Sequence, residues 1–121
     1  MGSRLYSIVI DSRDPSSLAR FWAGVLDFKV VYEEEGSEVV VARDDSTSPG
    51  LIFVPVPEPK SVKNRLHIDL NPHDRDVEVE RLIGLGAKRV DVGQGPEVTW
   101  VVLADPEGNE FCVLRPRDGG I

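Results

Sequence analysis

The segment DPSSLARFWAGVLDFKVV, residues 14–31, joins the signals of a helix to those of a strand. Asp14 is a favourable N-cap, and Pro15 suits the first helical position because its nitrogen needs no hydrogen bond there. The alternating, β-branched FKVVY at residues 28–32 predicts a strand directly after the helix. The apolar residues before that strand recur at the spacing of one helix face: Leu18, Phe21, Trp22 and Val25.

Three further strands surround this segment. RLYSIVID, residues 4–11, alternates and precedes the helix. EVVVA, residues 38–42, forms a hairpin with FKVVY around the turn EEEGS, and LIFVPV, residues 51–56, follows a polar loop. Residues 4–56 are therefore predicted to form a β-α-β-β-β module.

The same order of elements follows a Pro-rich, extended linker at residues 57–64. RLHIDL (65–70) predicts a strand, and DRDVEVERLIGLG (74–86) predicts a helix that ends at Gly86 and has Val79, Leu82 and Ile83 on one face. Three more strand patterns follow: KRVDV (88–92), VTWVVLA (98–104) and EFCVLRP (110–116), the last two joined by the turn DPEGN.

The two halves align at an offset of about sixty residues, with SIVI on HIDL and LDFKVV on LGAKRV. The alignment predicts an α+β protein with one domain, residues 4–116, made of modules 4–56 and 65–116. Chance similarity of two α+β units is one alternative. A ferredoxin-like domain is another, but it has fewer strands and a different order around its second helix.

Composition narrows the classes of partner and the expected location. The chain has 121 residues and a net charge of −7, and no cluster of basic residues interrupts the acidic surface. We therefore expect no nucleic-acid partner. A single cysteine, Cys112, precludes an intrachain disulfide, and no apolar run approaches membrane-spanning length. These features favour a cytoplasmic protein without a membrane partner.

The ordered set DSRDPSSLARFWAGVLDFKVV, RLHIDL, LIGLGAKRV and DPEGNEFCVLRP resembles the vicinal oxygen chelate superfamily, which includes glyoxalase I, extradiol dioxygenases and bleomycin-resistance proteins. The resemblance covers residues 4–116 and is greatest to the small single-domain glyoxalase-like members. It implies a curled mixed sheet, built from two βαβββ modules around a cleft, with helices outside. It also implies pairing into homodimers.

The resemblance further implies an ancestral metal site with the ligands His, Glu, His and Glu, one from each of four strands. His67 matches the histidine of the second module, and Ser7 occupies the corresponding position in the first. The first glutamate falls near Ile52 or Phe53, and the second falls at or within one residue of Cys112. We therefore expect no cofactor. The alternative is a divalent ion held by His67.

Alternation along the predicted strands supplies a candidate ligand-binding face. His67 and Asp69 share a side with Arg65, whereas Leu66, Ile68 and Leu70 are expected to face the helices. The candidate ligand-binding residues on the mixed polar and apolar face are Ser7, Val9, His67, Asp69, Trp100, Cys112 and Leu114.

Several of these residues also have ordinary structural interpretations. His67 could be a hydrogen-bonded histidine without chemistry, and Asp69 could orient its ring or pair with Arg65. Cys112 could be a small buried residue, and Trp100 could belong to a core or an interface.

The sequence thus favours a metal-free protein that binds a small molecule, such as a planar or aromatic metabolite or antibiotic. The alternative is an enzyme of the lyase, isomerase or dioxygenase type, in which His67 is a residual metal ligand or a general base and Asp69 orients it.

Overall fold

The computed structural model describes residues 2–90 and 98–117. Its elements alternate in the order expected from the sequence, with one helix after the first strand of each half. In chain order they are β1 (Ser7–Ser12), α1 (Pro15–Leu26), β2 (Lys29–Glu33), β3 (Val39–Ala42), β4 (Gly50–Pro55), β5 (Ile68–Leu70), α2 (Arg75–Leu85), β6 (Lys88–Arg89), β7 (Val101–Ala104) and β8 (Glu110–Val113).

The chain divides into two compact units between Pro59 and Lys60, inside the linker predicted at residues 57–64. The first unit has a four-stranded sheet of order β1-β4-β3-β2, and the second has one of order β5-β8-β7-β6. In each sheet the first strand pairs in parallel with the last, and the other pairs are antiparallel. The predicted α+β class and the two βαβββ modules are confirmed.

Helix α1 begins and ends as its sequence indicates. The side chain of Asp14 accepts a hydrogen bond from the amide of Ser17 at 3.3 Å, and Pro15 occupies the first turn. Asp27 ends the helix in the left-handed conformation, with a φ of 56°. The predicted apolar face is buried against the first sheet.

Helix α2 has the same construction. Asp74 accepts a hydrogen bond from the amide of Val77 at 3.0 Å, and Gly86 ends the helix with a φ of 125°, which an L side chain rarely adopts. Val79 and Leu82 are buried, whereas Ile83 is only half-buried.

The first strand of the second module is shorter than RLHIDL predicts. Pairing with β8 begins only at Ile68, and Leu66 is 82% exposed instead of facing a helix. The amide of Asn64 donates to the Glu110 side chain at 3.0 Å, not to a strand backbone. This contact lies before β5, and the residues from Asn64 to His67 do not join the ladder with β8.

Strand β7 is also shorter than predicted, because it begins at Val101 and leaves Trp100 outside. The Thr99 carbonyl accepts a hydrogen bond from the Arg75 guanidinium at 2.6 Å and is thereby directed to the start of α2. The predicted strand KRVDV is observed only as Lys88–Arg89, and its last two residues, 91 and 92, lie outside the described residues. Across the described parts of the chain, neither helix is both long and apolar enough to cross a membrane.

Candidate functional site

The first sheet has one face covered by α1 and one face turned away from it, which we call the open face. Alternation places Leu51 and Phe53 of β4 on the covered side, where both are buried. The strand register then aligns one residue from each strand across the open face. This row, in the order of the strands, is Val9, Ile52, Val40 and Tyr32.

A cavity of about 510 Å³ lies on the open face, and we call it the tyrosine cavity. Its volume falls in the range of about 300–1,000 Å³ that is usual for small-molecule sites. Every residue around it belongs to the first module. The lining residues are Tyr6, Ser7, Val31, Tyr32, Glu38, Val40, Ala42, Asp44, Asp45, Ser46, Thr47, Ser48, Gly50 and Ile52.

Small residues form one part of the cavity lining. Ser7 pairs with Gly50 in the parallel ladder, and Ala42 lies on the other side of Gly50. A Cβ at Gly50 would lie only 3.1 Å from the carbonyl oxygen of Val41 and 3.5 Å from the Cβ of Ala42. The close approach of β3 and β4 therefore favours glycine at this position, and the same absence of a side chain leaves space for a ligand.

A compact loop forms the polar rim. Asp44 accepts hydrogen bonds from the Ser46 amide at 2.9 Å, the Ser46 hydroxyl at 3.1 Å and the Thr47 hydroxyl at 2.7 Å. These hydrogen bonds lower the pKa of Asp44 to about 2, the largest effect coming from Thr47. Asp44 thus carries its negative charge at neutral pH, and all three of these hydrogen bonds are accepted by its Oδ1 atom. A cis peptide bond joins Ser48 to Pro49 where the loop returns to β4.

The opposite rim is formed by Tyr32. Its hydroxyl donates to the Glu34 carboxylate at 3.4 Å. The charge of Glu34 is the main cause that raises the pKa of Tyr32, and Glu38 contributes in the same direction. Acidic groups thus stand at both sides of the cavity, and none of the fourteen described residues that line it is basic.

In the second module, His67 lies immediately before β5 and is exposed. The Nζ of Lys63 is 3.0 Å from the Nε2 of His67. A lysine ammonium can only donate, so this contact requires Nε2 as the acceptor. Lys63 was not recognised from the sequence, because it belongs to the linker and follows no strand pattern.

The position of Lys63 follows from an anchor on either side of it. Glu110 at the start of β8 accepts from Lys60 Nζ at 2.9 Å and from the Asn64 amide at 3.0 Å. Burial alone would raise the pKa of Glu110, but the hydrogen bonds from Asn64 and Lys60 outweigh it and lower that pKa. The end of the linker is therefore fixed on the second sheet.

Asp69 and Cys112 are paired in the parallel ladder of β5 and β8. Asp69 is exposed, whereas Cys112 is buried. Burial raises the pKa of the Cys112 thiol, and the charge of Asp69 raises it further. A thiol in such surroundings stays protonated at neutral pH, and only the thiolate is a good nucleophile or metal ligand.

The remaining candidate residues are divided between the two units. Ser7 lines the tyrosine cavity, whereas Val9 is exposed on the open face without lining it. Trp100 is partly exposed beside β7, and Leu114 is half-buried just after β8, where its amide donates to Leu70 at 2.9 Å. His67, Asp69, Trp100, Cys112 and Leu114 all belong to the second unit.

The donor groups do not fit the metal site that the superfamily implies. Ser7 offers a neutral hydroxyl, and of the two residues near which the resemblance places the first glutamate, Ile52 lies on the open face, Phe53 is fully buried and neither is an acid. His67 presents Nε2 to an ammonium, and Cys112 holds its proton. Residues 2–90 and 98–117 contain no group of three or more His, Cys, Asp or Glu side chains placed to hold an ion.

Comparison with known protein families identifies the family to which this architecture belongs. The model of the glyoxalase-like domain family matches residues 7–114. The chain belongs to this family. The resemblance to the vicinal oxygen chelate superfamily is thereby confirmed, and the glyoxalase-like domain accounts for both modules. A search of curated proteins finds no match to the sequence.

Solved structures share the fold at low sequence identity. A glyoxalase/bleomycin resistance protein/dioxygenase family enzyme from Burkholderia phytofirmans PsJN is 21% identical, with a TM-score of 0.67 over 92% of this chain and 97% of that chain. A bleomycin resistance determinant encoded on the transposon Tn5 is 20% identical, with a TM-score of 0.60 and coverage of 95% and 99%.

A third similar structure contains a metal ion. It is a mutant of the fosfomycin resistance protein FosX from Listeria monocytogenes, complexed with Mn(II) and 1S,2S-dihydroxypropylphosphonic acid. It is 14% identical, with a TM-score of 0.73 over 98% of this chain and 94% of that chain. At these identities the three likenesses show the fold alone.

Sequence reasoning missed most of the tyrosine cavity. The strand alternation could have placed Val40 and Ile52 with Ser7, since their register follows from the hairpin and the parallel pair. Tyr32 was harder to place because the ladder between β2 and β3 is irregular between Val30 and Tyr32. An irregularity of this kind reverses the face on which later residues lie.

Proposed function

We propose that this glyoxalase-like domain binds a planar or aromatic small molecule, a metabolite or an antibiotic, without a metal ion. The observation that carries the proposal is the tyrosine cavity, which combines an apolar base with oriented polar groups in a volume suited to such a ligand. Tyr6 and Tyr32 offer ring faces for stacking at its edge.

The metal-free part of the proposal rests on the donor groups. Imidazole and carboxylate ligands suit divalent first-row metals, whereas the resemblance places the four ligands at Ser7, near Ile52 or Phe53, at His67, and at or next to Cys112, where His67 alone is such a ligand. A single imidazole whose Nε2 is in contact with the Lys63 ammonium is a weak ligand for a transition metal.

The test is a thermal-shift screen of planar antibiotics and aromatic metabolites, followed by calorimetric titration of each hit in the presence of a chelator. We expect at least one compound to raise the melting temperature and to bind equally well after chelation. Failure of every compound to bind a well-folded sample would refute the proposal.

A second candidate function is catalysis by His67, favoured by one observation. The ring is exposed, as a general base that reaches a substrate must be, and Asp69 lies two residues further along the chain. In that case His67→Ala would abolish turnover while leaving the melting temperature unchanged. A turnover that survives this substitution would exclude the role.

We further propose that the chain forms a homodimer, as the superfamily resemblance implies. Light scattering after size-exclusion chromatography should give twice the chain mass. A monomer at high concentration would contradict this proposal without affecting the binding proposal.

A further inference from the structure

We propose that the tyrosine cavity selects an organic cation, an ammonium or guanidinium group attached to an apolar or aromatic body. This inference rests on the proposed binding function and names the chemical class of its ligand. Three features of the cavity support it: the charge of its rim, its exposed phenol rings and its apolar base.

The charge of the rim is negative on both sides. Glu38, Asp44 and Asp45 line the cavity, and no basic side chain stands among the lining residues that the structure describes. The loop holds Asp44 in place through hydrogen bonds to its Oδ1 atom. Glu38 and Asp45 line the same cavity and are carboxylates that can also contact a ligand cation.

The local charge has the same sign as that of the whole chain. The net charge of −7 attracts cations and repels anions over the distance at which salt screens charges, about 10 Å at ordinary ionic strength. A phosphate or carboxylate ligand would meet three carboxylates in the cavity lining, whereas Arg4 lines a neighbouring pocket that shares Tyr6 and Ser46 with this cavity.

The two phenol rings can contact the cationic group of a ligand as well as its aromatic ring. Tyr32 is 49% exposed and Tyr6 is 77% exposed, and both residues line the cavity. A cation above a tyrosine face is attracted by the negative electrostatic potential of the ring. The carbonyl of Tyr6 accepts from the Gly50 amide at 3.2 Å, which fixes the backbone of Tyr6 beside the cavity.

The apolar base of the cavity favours a ligand with an apolar or aromatic body. Val40 and Ile52 are cross-strand neighbours on the open face, and both line the cavity beside the small residue Ala42. Burying an aromatic ring against them removes apolar surface from water, while the cation remains near the carboxylates at the rim. An inorganic cation would leave this apolar surface uncovered.

The experiment uses three probes that share a naphthalene ring: 2-naphthylmethylamine, which is a cation at neutral pH, the neutral 2-naphthylmethanol, and the anion 2-naphthoate. Each is titrated calorimetrically into the full chain at low and high salt. We expect the amine to bind about tenfold more tightly than the alcohol, and the carboxylate to bind least. High salt should weaken only the binding of the amine.

Two variants locate the effect. The double variant Glu38→Gln, Asp45→Asn should weaken binding of the amine about fivefold and leave the alcohol unchanged. Its matched control, Glu58→Gln with Glu80→Gln, removes the same charge from exposed positions that do not line the cavity and should bind the amine like the wild type. Tyr32→Leu keeps an apolar side chain but removes the ring, and should weaken the amine more than the alcohol.

The outcomes separate this inference from the function on which it rests. Equal binding of amine and alcohol, or equal losses in the double variant and its control, would overturn cation selection and leave the binding function intact. Tighter binding of the carboxylate would overturn it as well. Absence of binding by all three probes and by every compound of the wider screen would refute both proposals.

Discussion

The Nζ of Lys63 lies 3.0 Å from the Nε2 of His67, so the side chain that most resembles a metal ligand in this chain is hydrogen-bonded to a cation. The contact is local in sequence, four residues apart, but it depends on the anchoring of the linker by Glu110. This contact distinguishes the surroundings of His67 from those of the metal ligand that the superfamily resemblance implies.

The first prediction concerns the tautomer of His67. Because a lysine ammonium can only donate, the contact requires Nε2 as the acceptor, and the proton of the neutral ring should be on Nδ1. Long-range proton–nitrogen correlation spectra distinguish the two nitrogens. In Lys63→Met the constraint is removed, and the Nε2 resonance should shift towards that of a ring exchanging between tautomers. A proton on Nε2 in the neutral wild-type ring would contradict the contact.

The second prediction concerns the half-buried pair of Lys60 and Glu110, whose side chains are 18% and 13% exposed. Glu110→Gln should lower the free energy of unfolding by about 1–3 kcal/mol at neutral pH, because it removes charge-assisted hydrogen bonds. The exposed pair of Glu80 and Arg89 supplies the control, and Glu80→Gln should change that free energy by less than about 1 kcal/mol.

The pH dependence of this second effect has a definite sign. The folded state lowers the pKa of Glu110, so its stabilising contribution is fully present above the ordinary glutamate pKa, about 4.3, and is lost as the pH falls through the lower folded value. Chemical denaturation of wild type and Glu110→Gln should therefore give a difference in stability that disappears in acid. A difference independent of pH would mean that the charge of Glu110 contributes nothing.

The third prediction concerns Gly50. Gly50→Ala should lower the free energy of unfolding by about 1–3 kcal/mol, because the new Cβ would lie only 3.1 Å from the Val41 carbonyl oxygen and would force a backbone shift. It should also weaken ligand binding, since it fills part of the tyrosine cavity. Gly84→Ala is the control: its Cβ meets nothing within 4 Å on α2, and the helix should gain up to about 1 kcal/mol.

The fourth prediction concerns the reactivity of Cys112. Burial and the charge of Asp69 raise its pKa, so the folded protein should react slowly with a thiol reagent at neutral pH and rapidly once denatured. Asp69→Asn removes the charge and should make the thiol react at a lower pH than in the wild type. Asp76→Asn, on the exposed face of α2, should leave the pH profile unchanged. Fast reaction of the native wild-type thiol would contradict the burial.

The elements and the internal repeat could be predicted from sequence because both depend on local patterns. Asp14 and Gly86 mark helix ends by their own chemistry, and the apolar spacing of Leu18 and Trp22 selects the buried face. The exposed position of Leu66 could not be predicted in this way. The chain just before it is bound at Asn64 by Glu110, which lies 46 residues away in the sequence.

The candidate site was predicted less completely for the same reason. Ser7 could be placed at the cavity by alternation, but Tyr32 reaches the open face only through an irregular ladder. Trp100 is expected on a strand, but the strand begins only at Val101. The residue before Trp100, Thr99, uses its carbonyl to accept a hydrogen bond from Arg75 instead. Contacts between distant segments determine these positions, and periodicity within a segment contains no information about them.

The most direct test of metal-free binding is a calorimetric titration of the tightest ligand from the screen into protein freed of metal by a chelator. We predict one ligand per chain, with the same Kd before and after Mn²⁺ or Zn²⁺ is added, and a weaker Kd in Gly50→Ala. Loss of binding after chelation, with recovery on addition of a divalent ion, would contradict the account.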